Sequence, residues 1–180
     1  MEDKKQTVKV LKKITATRLR NIALYYLKRF ESSRANLRNV LRRRVDKYAY
    51  FDKTFDKSEA YEQIEKLLDD FEAHKYIDDA RFAELKIRSY LAAGKSPRYV
   101  LGKMREKGID ENLAWRILER EDYDPVAAAM KLARKKKIGP FELDANKRYE
   151  RRSKDLAILL RAGFDYDVVM KILEMTTEEE

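Results

Sequence analysis

Apolar residues recur with a helical period along nearly the whole of this 180-residue chain. Ile22, Leu24, Tyr25 and Leu27 lie close enough for one helix face, as do Leu37, Val40 and Leu41. Tyr61, Ile64, Leu67, Leu68 and Phe71 form a further stripe, with Asp, Glu and Lys filling the opposite side. Strand-like alternation is not sustained anywhere, so the pattern predicts an all-α chain. Breakers and caps divide it. Ser58 is placed to cap a helix over Glu59 to Phe71, and Asp78 or Asp79 to cap the helix carrying Phe82. Gly94-Lys95-Ser96-Pro97 closes one helix and opens the next, because Ser caps and Pro suits a first turn. Gly108 and Gly163 fit positions just past a helix end. Ile138-Gly139-Pro140 marks a loop reaching to about Asn146. Residues 46–57, with Tyr48, Tyr50, Phe51 and Phe55, read as an aromatic insertion or long loop, and Thr176 to Glu180 as a fraying acidic tail.

Aligning these segments reveals an internal repeat. Leu101, Met104, Ile109, Leu113 and Ile117 stand at fixed offsets from Gly108, and Leu156, Leu159, Phe164, Val168 and Ile172 stand at the same offsets from Gly163. Tyr90-Leu91, Ser96, Leu101 and Met104 likewise have counterparts in Tyr26-Leu27, Ser32, Leu37 and Val40, a register that puts Arg44 where a glycine is expected. The expectation is three tandem copies of a three-helix unit forming an elongated, curved array. A basic extension over 1–14 comes first, then repeat 1 over 15–75 with the insertion at 46–57. Repeat 2 covers 76–122, repeat 3 covers 123–175, and the acidic tail covers 176–180. One such unit has little core, so neighbours should share contacts.

Composition narrows the chemistry. The chain has no Cys and one His, His74, which excludes disulfides, thiolate metal sites and cysteine nucleophiles and leaves little room for zinc hydrolase or Ser–His–Asp chemistry. No Gly-rich phosphate loop, G-x-S-x-G elbow or H-E-x-x-H motif is present. The start of the chain leads into no apolar h-region, and no apolar run is long enough to span a membrane. A soluble, cytoplasmic, non-enzymatic protein without cofactor or metal is expected. The net charge of +9 is unevenly spread: residues 1–45 carry 14 Lys/Arg against 3 Asp/Glu, while residues 46–83 carry 6 against 11. Charge alone fits equally a surface for a polyanion, nucleic acid being the commonest, and a solubilising coat.

Several segments together resemble the RecX regulatory proteins, bacterial modulators of the RecA recombinase. Tyr76-Ile77-Asp78-Asp79-Ala80-Arg81-Phe82-Ala83 is similar to the family's I/L-D-D-x-R-F-A core. Gly94-Lys95-Ser96-Pro97-Arg98 and Lys107-Gly108-Ile109 follow in the family's order. Ala23-Leu24-Tyr25-Tyr26-Leu27 with Ser32 and Leu37 fits at one end, and Leu160-Arg161-Ala162-Gly163-Phe164 at the other. Arg44 departs from a usual Lys-Gly, and residues 46–57 are longer than the usual connection. The resemblance implies a non-enzymatic protein of curved three-helix repeats. Such a protein lies in the groove of the RecA–DNA filament, bridges neighbouring subunits, restrains ATP hydrolysis and strand exchange, and promotes filament shrinkage.

The cations available for such a role fall in clusters. Arg34, Arg38 and Arg42 follow i, i+4, i+8, with Lys28 and Arg29 upstream; Arg42-Arg43-Arg44 stand in succession with almost no acid near them in sequence. Contact with DNA phosphates or an acidic filament surface is the favoured reading, since a guanidinium can donate two parallel hydrogen bonds. Lys95, Arg98, Lys103 and Lys107, with Arg105, form a second cluster, for which binding and plain solvation are evenly matched. Lys135 and Lys136 lie in a run that also suits a helix C-terminus, and Arg151 and Arg152, with Arg148, can join a basic surface or pair with Glu150 and Asp155. The expected partners are a RecA filament and single- and double-stranded DNA, met by a monomer; a general DNA-binding protein is the alternative. Asp78-Asp79 is explained by capping and pairing with Arg81 rather than by a metal. Phe82 and Trp115, with Ile117 and Leu118, read as core, and His74 as surface. Tyr48, Tyr50, Phe51 and Phe55 could stack on bases, though packing against the first repeat explains them more simply.

Overall fold

The computed structural model describes residues 12–175. Residues 1–11 of the expected extension and the tail at 176–180 lie outside the described residues. Among those described are nine α-helices and one 3-10 turn, with no strand: α1 (Ala16–Leu27), α2 (Arg34–Phe51), α3 (Lys57–Ala73), α4 (Asp79–Ala92), α5 (Pro97–Glu106), α6 (Glu111–Leu118), α7 (Pro125–Lys136), the 3-10 turn Gly139–Phe141, α8 (Ala145–Arg161) and α9 (Tyr166–Glu174). The chain divides between Asp78 and Asp79 into two compact units. The first holds α1–α3, the second α4–α9.

Each set of three helices surrounds its own buried cluster. Leu19, Leu37, Leu41, Val45, Ile64, Leu68 and Phe71 fill the first, and Ile14 joins them, so the end of the expected extension belongs to this core. Phe82, Ile87, Val100, Met104 and Ile117 fill the second. Leu159, Phe164, Val169 and Ile172 fill the third, where Ala128, Ala129 and Ala133 line the core-facing side of α7. Burying each large aliphatic side chain is worth about 1.5–3 kcal/mol relative to exposing it.

Local chemistry explains the helix ends. Ser96 accepts from the Tyr99 N–H at 3.2 Å with Pro97 in the first turn, as expected. The start of α3 differs from expectation. Asp56, not Ser58, is the cap, and its carboxylate accepts from the Ser58 N–H at 2.8 Å. Register differs too. Ser33, Leu37 and Leu41 play in α2 the parts of Ser96, Val100 and Met104 in α5, one residue off the alignment that began from Ser32. In this register the partner of Gly108 is Val45, not Arg44. Gly108 takes φ +68° and ends its helix, whereas β-branched Val45 is fully buried and resists the left-handed conformation.

Helix α2 therefore runs on to Phe51, so the first half of the expected insertion is helix rather than loop. Its aromatics divide. Tyr48 packs edge-on against Phe55 at 4.9 Å, while Tyr50 and Phe51 stay 70% and 66% exposed. Trp115 is also 45% exposed, contrary to its reading as core. Ala114, Ile117 and Leu118 make the inner face of α6, which turns position 115 outward. Phe82 is buried as expected.

Candidate polyanion-binding surfaces

The arginine row of α2 faces α3, and α3 is acidic. Arg38 forms a two-pronged ion pair with Glu65, at 2.7 Å from Nε and 2.8 Å from Nη2. Arg34 bonds Asp69 at 2.5 Å and Glu72 at 2.9 Å, and Arg42 reaches Glu65 at 3.5 Å while its guanidinium lies 4.9 Å from the Tyr61 ring centre. The hydrogen bond from Arg38, against partial desolvation, holds the Glu65 carboxyl below its usual range. Burial works against the charge of Arg34, but Asp69, Glu72 and Glu65 outweigh it and raise its pKa. The acids missing from the sequence around Arg34, Arg38 and Arg42 thus arrive from the next helix. This row is an internal ion-pair ladder, in which three arginines of the basic block meet three carboxylates of the acidic block across one seam.

Other expected site residues are committed in the same way. Lys103 bonds Glu106 at 2.7 Å and Arg105 bonds Glu111 at 3.2 Å. Arg151 sits 3.6 Å from both Glu142 and Asp155, and Arg152 lies 3.5 Å from Glu174. Glu142 and Glu174 take the place expected for Glu150. Asp155 is 1% exposed, its Oδ1 has no hydrogen-bond partner, and burial raises its pKa. Lys107 is the half-buried C-cap of α5.

Of the other expected site residues, Lys28, Arg29, Arg43, Arg44, Lys95, Arg98, Lys135 and Lys136 form no ion pair among the described residues, and cations gather in two grooves. In the first unit, Lys12, Lys13, Arg18 and Arg44 line a groove of about 630 Å³ together with Asn21 and Tyr25. Arg43 lies beside it in sequence, bonded only to the Asn39 carbonyl at 3.2 Å. Lys28 is the exposed C-cap of α1, and Arg29 stacks on Tyr25 at 4.6 Å.

In the second unit, Lys95, Lys131, Lys135, Lys136 and Arg161 line a groove of about 500 Å³ where α5, α7 and α8 meet, and no carboxylate lines it. Arg98 is exposed beside the Gly163 turn. A close contact fixes this meeting point. The Ser96 hydroxyl donates to the Ala162 carbonyl at 2.6 Å, and a Cβ on Gly163 (φ +88°) would lie 2.6 Å from that hydroxyl. Lys131 Nζ also donates to the Ala92 carbonyl at 3.2 Å.

Lys131 and Arg161 were not among the expected site residues. The sequence signal for Lys131 is that α7 contains no acid. Arg161 has no local signal, because only the packing of α8 brings it to α5. Paired acids at Asp78-Asp79 do not assemble a metal site: among the described residues no group of three or more His, Cys, Asp or Glu could hold a metal ion. Lys75 Nζ lies 3.9 Å from Asp78. His74 caps α3, exposed.

Helical three-helix units in tandem, each compact unit presenting a groove lined by cations, define an all-α helical-repeat protein. The comparisons with known proteins say which one. The family model described as RecX, second three-helix domain, matches residues 78–114. Regulatory protein RecX of Myxococcus xanthus is 34% identical over 165 residues, 91% of this chain and 88% of that protein. Regulatory protein RecX of Agrobacterium fabrum is 35% identical over 105 residues, 58% of this chain and 55% of that protein. The chain belongs to the RecX family of regulatory proteins. The crystal structure of RecX from Lactobacillus salivarius has the same fold, with a TM-score of 0.61 at 24% identity over 88% of this chain and 94% of that one. A second crystal structure of a regulatory protein RecX gives 0.64 at 21% identity, covering 89% of this chain and 73% of that one. Among the described residues no helix is long and apolar enough to cross a membrane.

Proposed function

We propose that this protein binds the nucleoprotein filament of a RecA recombinase and restrains its ATP hydrolysis and strand exchange, without catalysing a reaction itself. The observation that carries the reading is the pair of cation patches left unneutralised on a RecX-family chain, one in each compact unit. Two separate patches on one chain favour multisite contact, which raises avidity without any single strong contact. The protein works as a cytoplasmic monomer. Filament DNA, single- or double-stranded, supplies phosphates to the first-unit patch around Arg43 and Arg44.

The test is single-stranded-DNA-dependent ATP hydrolysis by the cognate recombinase, titrated with this protein. Inhibition is expected far below the concentration that coats the free DNA. Inhibition only once the DNA is saturated would instead make this a general DNA-binding protein. In that case log K should fall against log salt by about 0.9 for each phosphate neutralised. Arg43→Ala/Arg44→Ala should weaken inhibition with helicity unchanged; full inhibition by this variant would remove the first-unit patch from the interface.

A further inference from the structure

The second-unit groove is more than a patch of charge. Its rim is basic, with Lys95, Lys131, Lys135, Lys136 and Arg161. Its floor is apolar, made by Leu132, Ile158 and Phe164, side chains that belong to or pack against the third core. A phosphodiester backbone could answer the rim but would gain nothing from the floor. A base could answer an aromatic face, yet Phe164 is buried in the third core and the Tyr99 ring is already engaged. Tyr99 has Lys95 Nζ 5.0 Å and Lys103 Nζ 5.7 Å from its ring centre, and Tyr90 meets it edge-on at 5.8 Å. What answers both parts is a protein segment that carries carboxylates on either side of one or two apolar side chains. The volume, about 500 Å³, suits a few such side chains.

We infer that this groove is a docking site for an acidic amphipathic segment of a protein partner, not for nucleic acid. The apolar side chain enters between α7 and α8, and the flanking carboxylates meet Lys95 on one side and Lys135 and Lys136 on the other. The frame that holds the groove open is the tight Ser96–Ala162 contact, so the site is pre-formed rather than induced. This contact is separate from the reading of the first-unit patch as a phosphate site, and it stands whether or not the partner is a recombinase.

The test uses the full chain and three fluorescent probes: a peptide of Glu flanking Leu and Phe, an all-Glu peptide of equal length, and a short oligothymidylate. Binding is read by anisotropy at moderate salt. The amphipathic peptide should bind about tenfold more tightly than the all-Glu peptide. Lys135→Glu/Lys136→Glu should lose about tenfold or more of that affinity and leave oligothymidylate binding within about twofold. Both lysines are exposed, and Lys135→Gln/Lys136→Gln provides a milder version if the reversal disturbs folding. Equal affinity for the two peptides, an equal loss of oligothymidylate binding, or no change in either affinity would each overturn the inference. Failure of the recombinase assay with the wild-type chain would remove the proposed function and leave these peptide results to decide the groove independently.

Discussion

The α2–α3 seam and the α5–α7–α8 groove are both rich in cations, yet they put that charge to opposite uses. Along the seam, Glu65, Asp69 and Glu72 stand one turn apart on α3 and take up Arg34, Arg38 and Arg42. Around the groove, α7 offers Lys131, Lys135 and Lys136 but no acid of its own, and α8 brings only Arg161 to the rim. Density of positive charge in the sequence is thus a poor guide to binding. What matters is whether the neighbouring helix in space is acidic, since a neutralised arginine must break an existing pair before it can meet a phosphate.

The largest effect should come from the groove's frame. Gly163→Val forces a β-branched residue to φ +88° with its Cβ 2.6 Å from the Ser96 hydroxyl. Backbone strain of about 1–2 kcal/mol and loss of a hydrogen bond worth about 1 kcal/mol should lower stability by about 2–3 kcal/mol in denaturant melts. A value under about 0.5 kcal/mol would mean that the contact does not hold the groove.

Next comes a paired comparison of variants. Lys135→Glu/Lys136→Glu should cost binding and little stability. Arg34→Ala/Arg38→Ala should cost about 1 kcal/mol of stability and leave ATPase inhibition within about twofold. If the seam variant lost inhibition while staying folded, the ladder would be an interface after all.

Glu65→Gln sharpens the contrast further, because it releases Arg38 and Arg42 without removing a cation. Stability should fall by about 0.5–1 kcal/mol, while affinity for oligothymidylate rises and its salt slope steepens. Unchanged affinity would show that geometry, not pairing, keeps the row from nucleic acid.

The smallest effect is on pH. The Glu65 carboxyl has a lowered pKa in the folded state, chiefly through the Arg38 hydrogen bond. Its contribution is therefore complete above the ordinary carboxylate range and is lost as pH falls through the folded value. Asp155, raised by burial, has the opposite sign: its contribution is complete below the ordinary range and is lost as pH rises through the folded value. In acid melts Glu65→Gln should flatten the low-pH loss of stability, and Asp155→Asn should raise stability only at neutral pH. Identical acid limbs for wild type and Glu65→Gln would show that the seam carries no pH-linked stability.

Much of the architecture was readable in advance for local reasons. Helical periodicity, the Ser96-Pro97 start and the left-handed glycines at 108 and 163 act within one or two turns, so the sequence alone carries them. Register in the first repeat was not readable, because it turns on which of two adjacent serines caps α2, and burial of Leu37, Leu41 and Val45 decides that. The length of α2 follows from the same burial.

For the candidate sites the division is sharper. The residue types were evident, and Lys95, Lys135 and Lys136 were identified with their clusters. Their gathering with Arg161, and the neutralisation of Arg34, Arg38 and Arg42, depend on contacts between residues far apart in the chain. By itself the sequence determined the helical class, the Ser96-Pro97 start, the glycine ends at 108 and 163 and the resemblance to a family, since each is written in short-range spacing. Only the tertiary structure decided which cations are neutralised and which remain available, because an ion pair is set by distance in space, and distance between helices is set by the packing of their cores.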